Sequence, residues 1–192
     1  MDNAYRLIAG ALTTLALATS AMVVLPYIEV HKLPAADGLR PYSEAELRGR
    51  QQYINLGCMA CHSQQPRGTE SGVDASRGWG RPSVPRDYVY DNPPLLGTMR
   101  TGPDLFNVGS RLPSADWHLG HLYQPRAYVP ASNMPALPFL FEHKPQVEDG
   151  DRLVSLPTGA APEDGVVVAK PEALDLVKYL QALDRTYPVS QQ

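Results

Sequence analysis

The sequence predicts a mainly α-helical, loop-rich domain preceded by one N-terminal transmembrane helix. Three observations predict it. A stretch without any charged residue runs from Leu7 to Ile28. Two segments with apolar residues at helical spacing, Ser43 to Leu56 and Pro171 to Leu183, stand near opposite ends of the remainder. Between them fall most of the 19 Pro and 15 Gly, which break long periodic elements and leave loops and short turns. At 192 residues the chain allows one modest domain and at most one appendage. A net charge of -3 gives no electrostatic footprint for nucleic acid. Neither a Walker-type loop nor Gly-x-Gly-x-x-Gly occurs, so nucleotide chemistry has no support.

The charge-free stretch places a membrane anchor at residues 1–30. As a helix its 22 residues extend about 33 Å, against roughly 30 Å of hydrocarbon. Thr13, Thr14, Thr19 and Ser20 can return their hydroxyls to helix carbonyls, and Pro26 and Tyr27 fall at the far interface. A cleaved signal peptide is the competing reading, with Thr19-Ser20-Ala21 as its small-residue site. Continued apolarity through Val23, Val24 and Leu25, and Asp2 beside Arg6 in place of a basic cluster, favour the uncleaved anchor. Arg6, His31 and Lys32 balance across the span and do not set its orientation.

Residues 31–42 form a Pro/Gly-containing tether, and residues 43–192 form the domain. Its first helix starts at Ser43, where Ser43-Glu44-Ala45-Glu46 is a capping box. Leu47, Tyr53, Ile54 and Leu56 supply its apolar contacts. Gly49 costs a helix interior about 1 kcal/mol relative to Ala, so it is either tolerated or required by close backbone packing. Gly57 ends the helix.

Cys58-Met59-Ala60-Cys61-His62 follows at once and contains the chain's only two cysteines. Cys-x-x-Cys-His is the attachment pattern of a c-type haem: two thiols add across the porphyrin vinyl groups and the histidine ligates iron. A zinc site needs more ligands at matched spacing, and no second cysteine pair exists. A thioredoxin-like pair needs strand–helix alternation, which these Gly- and Pro-rich surroundings lack. The implied cofactor is one covalent haem c with His62 as a metal ligand.

From Ser63 to Arg100 the chain has little periodicity. Trp79, Tyr88, Val89, Tyr90, Leu95 and Leu96 argue that part of it packs, while Arg67, Arg77, Arg81, Arg86 and Arg100 make it locally basic. A loop this long is a decorated surface or a partner-binding surface. Gly102-Pro103 is a turn whose Pro103 carbonyl is suited to accept the free ring N–H of a ligating histidine. Arg111 is read as a partner for a haem propionate through its planar fork, the alternative being a surface ion pair of little worth.

Asp116 to Leu122 reads as a short helix after a Ser114 cap. His118 and His121 share a face at i, i+3 but lack further metal ligands, so they are read as polar surface or interface residues, with Trp117 as core. Pro125, Pro130, Pro135 and Pro138 then preclude a long helix, and Met134 lies in that loop. Met1 is terminal, Met22 is in the anchor, Met59 is inside the attachment run and Met99 immediately precedes the Pro103 turn. Met134 is therefore the candidate second axial ligand, a gap-filling thioether being the alternative. Residues 142–170 read as a polar, irregular stretch with a small acidic patch at Glu148, Asp149 and Asp151. The last helix begins with Pro171 at its first position and buries Ala173, Leu176, Val177, Leu180 and Leu183, with Tyr179 reaching Gly49 and Tyr53.

Together these features resemble the class I cytochrome c fold with long loop insertions. Within it, the sequence resembles the membrane-anchored mono-haem subunit II of the cbb(3)-type, C-family haem-copper cytochrome c oxidases. The residues carrying the resemblance are Gly57 through Gln64, Tyr90-Asp91-x-Pro93, Arg100-Thr101-Gly102-Pro103-Asp104-Leu105 and Val108-Gly109-x-Arg111. Asp116-Trp117-His118-x-x-His121-Leu122, Pro125-Arg126 and Val129-Pro130-x-Ser132-x-Met134-Pro135 continue it, over roughly residues 41–140. Residues 65–87 beyond Pro66-Arg67, and residues 142–170, depart from the family pattern.

The resemblance implies that Cys58 and Cys61 anchor the haem and that His62 and Met134 are its axial ligands. It also implies partners: a haem-copper oxidase catalytic subunit, which segment 63–100 would contact, and other cytochrome c subunits. Attachment of c-type haem places the domain in the periplasm of a bacterial cell, single-pass in the inner (cytoplasmic) membrane. Two other functions share the layout, the cytochrome c subunit of a nitric oxide reductase and a free-standing anchored electron carrier. Catalysis by the chain itself is disfavoured, since iron with both axial positions filled has no open site for substrate.

Overall fold

A computed structural model describes residues 2–68, 70 and 72–189. Met1, Thr69, Ser71 and residues 190–192 lie outside the described residues, and with them the ends of the expected anchor and domain and two positions of the long loop. The architecture is mainly helical with one small sheet.

The apolar amino end forms one helix long and apolar enough to cross a membrane, Asn3–His31. Regular α-helix occupies Asp2–Thr19 (α1) and Leu25–His31 (α2). Ser20–Val24 between them is a π-helical turn. Thr13 and Thr14 donate their hydroxyls to the carbonyls of Ala9 and Gly10 at 2.8 and 2.9 Å, which satisfies them without water. All of its side chains from Asn3 to His31 are exposed.

After α2 the chain is strapped onto the domain. Ala36 is buried, and the Arg86 guanidinium donates to the carbonyls of Pro34 and Ala35 at 3.1 and 3.0 Å. Helix α3 then spans Glu44–Asn55 with the expected capping box complete: Ser43 Oγ accepts from the Glu46 amide and the Glu46 carboxylate accepts from the Ser43 amide.

Helix α7, Pro171–Ala182, crosses α3 at close range. A β-carbon at Gly49 would overlap the Asp175 carbonyl oxygen and crowd Tyr179, so the glycine is required by backbone approach. The Tyr53 and Tyr179 rings meet edge-on with centroids 5.6 Å apart. Three shorter helices, α4 (Val108–Arg111), α5 (Ala115–Tyr123) and α6 (Pro125–Tyr128), complete the helical layer. Gly109 repeats the close approach, its site lying against the Gln181 carbonyl, with its amide donating to Leu183 O at 2.9 Å. Tyr53, Val108, Leu119, Leu122, Leu140, Leu176, Tyr179 and Leu183 fill the centre.

Residues 142–170 are not irregular throughout. Phe141–Lys144 (β1), Arg152–Leu153 (β2) and Val166–Ala169 (β3) form an antiparallel sheet in the order β1-β3-β2. The Val166-Val167-Val168 run, with Val167 and Val168 buried, is the local signal for it. The acidic patch closes this sheet's loop: Lys144 Nζ donates to Glu148 and to Asp151 at 2.7 and 2.9 Å.

Segment 63–100 is packed by buried carboxylates. Asp74 pairs with Arg100 at 2.7 Å and Arg67 at 3.3 Å. Asp87 pairs with Arg81 at 2.6 Å and accepts from Tyr187 Oη at 2.9 Å. Asp91 pairs with Arg50 of α3 at 3.3 Å. Trp79 and Leu95 are buried as expected, whereas Tyr90 and Leu96 are exposed. Arg81 and Arg100 of the basic stretch therefore point into it, Arg67 bonds Asp74 while over a third exposed, Arg86 holds the tether and Arg77 is exposed.

Candidate haem site

The site begins where α3 stops. Gly57 adopts φ +69°, a left-handed conformation that a side chain would strain, and turns the chain into the 3-10 turn Cys58–Ala60. The Cys61 and His62 amides both donate to Cys58 O, at 3.1 and 2.9 Å, so the turn carries both thiols and the histidine as one unit. Cys58 is half-buried against the core, Cys61 is exposed, and the two are unbridged. Burial pushes the Cys58 thiol up to about 11. A redox-active thioredoxin-like cysteine is shifted the opposite way, so the environment disfavours that reading.

His62 is fixed at three points. Its carbonyl accepts from Tyr53 Oη at 2.6 Å, and its neighbours are stitched to the segment beyond by Gly102 N to Cys61 O at 2.9 Å and Leu105 N to Ser63 O at 2.8 Å. Its ring Nδ1 lies 2.8 Å from the Pro103 carbonyl oxygen. A carbonyl can only accept, so the proton sits on Nδ1 and leaves Nε2 as the ring's free lone pair. Gly102 makes this approach possible, since a β-carbon there would overlap the imidazole. Burial lowers the His62 pKa below the ordinary imidazole value, which favours the neutral form that binds metal.

Asp104 holds the Pro103 turn in place. Fully buried, it accepts from Ser63 Oγ and the Gln65 amide at 2.8 Å each and from the Phe106 amide at 2.9 Å. The sequence reading did not single it out, although it sits inside the Gly102-Pro103-Asp104 run. The Gln64 amide and the Tyr179 hydroxyl, a pairing the sequence did not signal, exchange hydrogen bonds at 3.0 and 3.2 Å and tie the attachment loop to α7.

Arg111, at the end of α4, donates from Nη2 to the Asp104 backbone carbonyl at 3.1 Å, not to a surface carboxylate. Its Nε is buried without a partner. Met134 lies half-buried in the proline-punctuated loop, its amide accepted by Ser132 Oγ at 3.1 Å and its side chain packed against the core. His62, Pro103, Asp104 and Arg111 thus form one connected cluster. Met134 enters from a separate loop.

The reading of α5 needs correction. His118 is buried at 3% exposure, not a surface residue, and its Nε2 donates to Leu112 O at 2.8 Å, so the turn between α4 and α5 satisfies it. Trp117 is half-buried instead of core and stacks on His121 with centroids 4.5 Å apart and planes 10° from parallel. The i, i+4 spacing of Trp117 and His121 contained that pairing.

The residues present fit a c-type haem. The two thiols are unpaired on one turn, the histidine presents a neutral ring with one nitrogen committed, and a glycine stands where any side chain would displace that ring. The orphaned Arg111 Nε is a buried donor awaiting an acceptor such as a propionate. Comparison with curated proteins finds no match to the chain. Comparison with protein families finds one over residues 2–160, described as "Cytochrome C oxidase, mono-heme subunit/FixO". That match takes in the apolar amino-terminal helix, the attachment run, the Pro103 turn and Met134, and it extends past residues 41–140 at both ends. The chain belongs to the FixO family of mono-haem cytochrome c oxidase subunits.

Proposed function

We propose that this chain carries one covalent c-type haem on Cys58 and Cys61, with His62 and Met134 as axial ligands, and relays single electrons to the haem-copper catalytic subunit of a terminal oxidase reducing oxygen to water. The observation that carries the reading is the bond from His62 Nδ1 to the Pro103 carbonyl directly after the cysteine pair. When bound, the haem supplies a one-electron iron couple. Every other role falls to the chain. The Pro103 carbonyl holds the His62 tautomer and raises its basicity. Asp104 and Ser63 fix the turn that carries that carbonyl. Arg111 offers charge to a propionate. Met134 supplies the soft sulfur that favours the reduced state.

On this reading residues 1–30 anchor the subunit in the bacterial inner membrane, residues 31–42 strap the domain near it, and residues 43–192 work in the periplasm. The apolar helix Asn3–His31 and the family match support the anchor. Other cytochrome c subunits would supply electrons, and the reading asks for no nucleophile or general base.

The test is extraction of the native complex in mild detergent with this chain as bait, followed by the haem b to haem c ratio and gas consumption. Haem b with oxygen turnover is the expected outcome. Haem b with nitric oxide turnover alone would transfer the chain to a nitric oxide reductase. Haem c alone, with neither activity, would leave an anchored carrier and sink the proposal.

A further inference from the structure

The run that carries Met134 is pinned at both ends to the last turn of α5. At its start, the Tyr128 side chain lies against that helix: a β-carbon at Gly120 would overlap the Tyr128 hydroxyl, so the glycine makes room for it. At its end, the Leu137 amide donates to Leu122 O at 3.0 Å. Gly120 and Leu122 are both buried and stand two positions apart. Between the pins the run is tied to itself. The Val129 amide donates to Pro125 O and the Ser132 amide to Val129 O, each at 2.9 Å, and the Met134 amide donates to Ser132 Oγ at 3.1 Å. Pro130 and Pro135 fix two of its φ angles.

The two pins differ in kind. The Leu137 pin is a backbone bond, whereas the Tyr128 pin depends on a side chain and on a distant segment. Tyr128 Oη donates to the Ser155 carbonyl at 2.9 Å, 27 positions on. Ser155 directly follows Val154, which is buried and whose amide donates to Val167 O of β3 at 2.8 Å. The acceptor is therefore carried on the three-stranded sheet. That sheet is fastened to the other end of the same run as well. Strand β1 begins at Phe141, and Lys170 after β3 donates its amide to Leu140 O at 3.1 Å and its Nζ to Phe139 O at 2.9 Å.

We propose that Tyr128 is a positioning residue for the Met134 axial ligand, and that the sheet of residues 141–169 is the brace through which it acts. The bond to Ser155 favours the arrangement in which the run keeps its thioether on the iron. Tyr128 does this by holding the run, not by ligation. This inference rests on the haem reading above.

The test titrates the full-length, haem-loaded ferric chain in detergent with imidazole. Added imidazole competes with Met134 for the iron, so its apparent affinity reports how readily the run lifts away. Tyr128→Phe keeps the ring and removes only the hydroxyl. It should bind imidazole about fivefold more tightly, the factor that one net hydrogen bond is worth. Gly120→Ala displaces the whole tyrosine side chain and should raise the affinity further. If Gly120→Ala fails to fold, Tyr128→Phe decides alone. Wild-type imidazole affinity in Tyr128→Phe overturns the proposal, even with a lower urea midpoint, because the tyrosine would then support the fold without governing the ligand. Met134→Leu separates the two readings. If it leaves the spectrum and the imidazole affinity unchanged, Met134 is not the ligand and the parent reading fails with this one. If it opens the iron while Tyr128→Phe matches wild type, this inference alone fails.

Discussion

The imidazole of His62 and the carbonyl of Pro103, 41 positions apart in the chain, are joined by a 2.8 Å hydrogen bond. Gly102 is the condition for that bond, since its missing side chain is the space the ring occupies. Gly102→Ala therefore pushes the ring off its carbonyl. Loss of such a supporting partner costs about 10- to 100-fold in metal affinity in comparable sites. The expected outcome is a rise in high-spin iron and carbon monoxide binding to the reduced protein. Optical spectra of purified wild type and variant check it; unchanged low-spin spectra would count against this geometry.

Met134 is separable from the chain's other exposed or half-exposed methionines by substitution. Met134→Leu should open an axial position, so that the reduced protein binds carbon monoxide. Met134→His should stay low-spin at a lower midpoint potential, because thioether ligation favours the reduced state more than imidazole does. Met59 and Met99 are both exposed, and replacing either by Leu should leave spectrum and potential unchanged. A redox titration of the four proteins decides it. If Met99→Leu alone opened the site, the ligand assignment would move there.

What was legible in the sequence was local or repeated. The Ser43 capping box, Pro171 at the first turn of α7 and the pairing of Tyr53 with Tyr179 across Gly49 all follow from spacing within helices, and the structure contains them. The Cys-x-x-Cys-His run is a fixed pattern over five positions, and the expected acceptance of a His62 ring N–H by the Pro103 carbonyl is present at 2.8 Å. The rest depended on long-range partners. Asp74 and Asp91 look like ordinary polar loop residues until Arg100, 26 positions on, and Arg50 of α3 pair with them, and the nearby Arg81 gave no sign that it would turn inward onto Asp87. The sheet strand Arg152–Leu153 is too short to carry a period at all. His118 was misread because an i, i+3 pair reveals a shared face but not which way it points.

The buried Asp74 makes a further prediction. Its carboxylate is completely enclosed and binds Arg100, Arg67 and the Arg67 amide, and the Arg100 hydrogen bond is the main reason its pKa lies far below the usual range. Asp74→Asn leaves two guanidinium groups facing a neutral amide inside the long segment. Removing one partner of a buried pair typically costs about 3–5 kcal/mol. Because Arg67 is over a third exposed and can turn to water, about 3 kcal/mol is expected here. Urea unfolding of the haem-loaded protein should show the midpoint fall. An unchanged midpoint would mean that segment 63–100 is held by its apolar residues alone.

Acid should loosen the start of α3 through Glu46. The Arg40 hydrogen bond, aided by the Ser43 amide, holds its carboxyl down at about 2, against an ordinary 4.5. A carboxylate whose folded pKa is depressed contributes stability above its unfolded value and loses it as protons are taken up below. The contribution is thus complete above about pH 4.5 and disappears as pH falls toward 2. Arg40 is 62% exposed, so solvent screening reduces the pair's worth to about 1 kcal/mol. Glu46→Gln should cost about that much at pH 7 and nothing at pH 2, so the two stability curves converge on acidification. Denaturation midpoints measured from pH 7 down to pH 2 check the sign: a gap that persists at the acid end would trace the effect to lost packing of the capping box instead of charge.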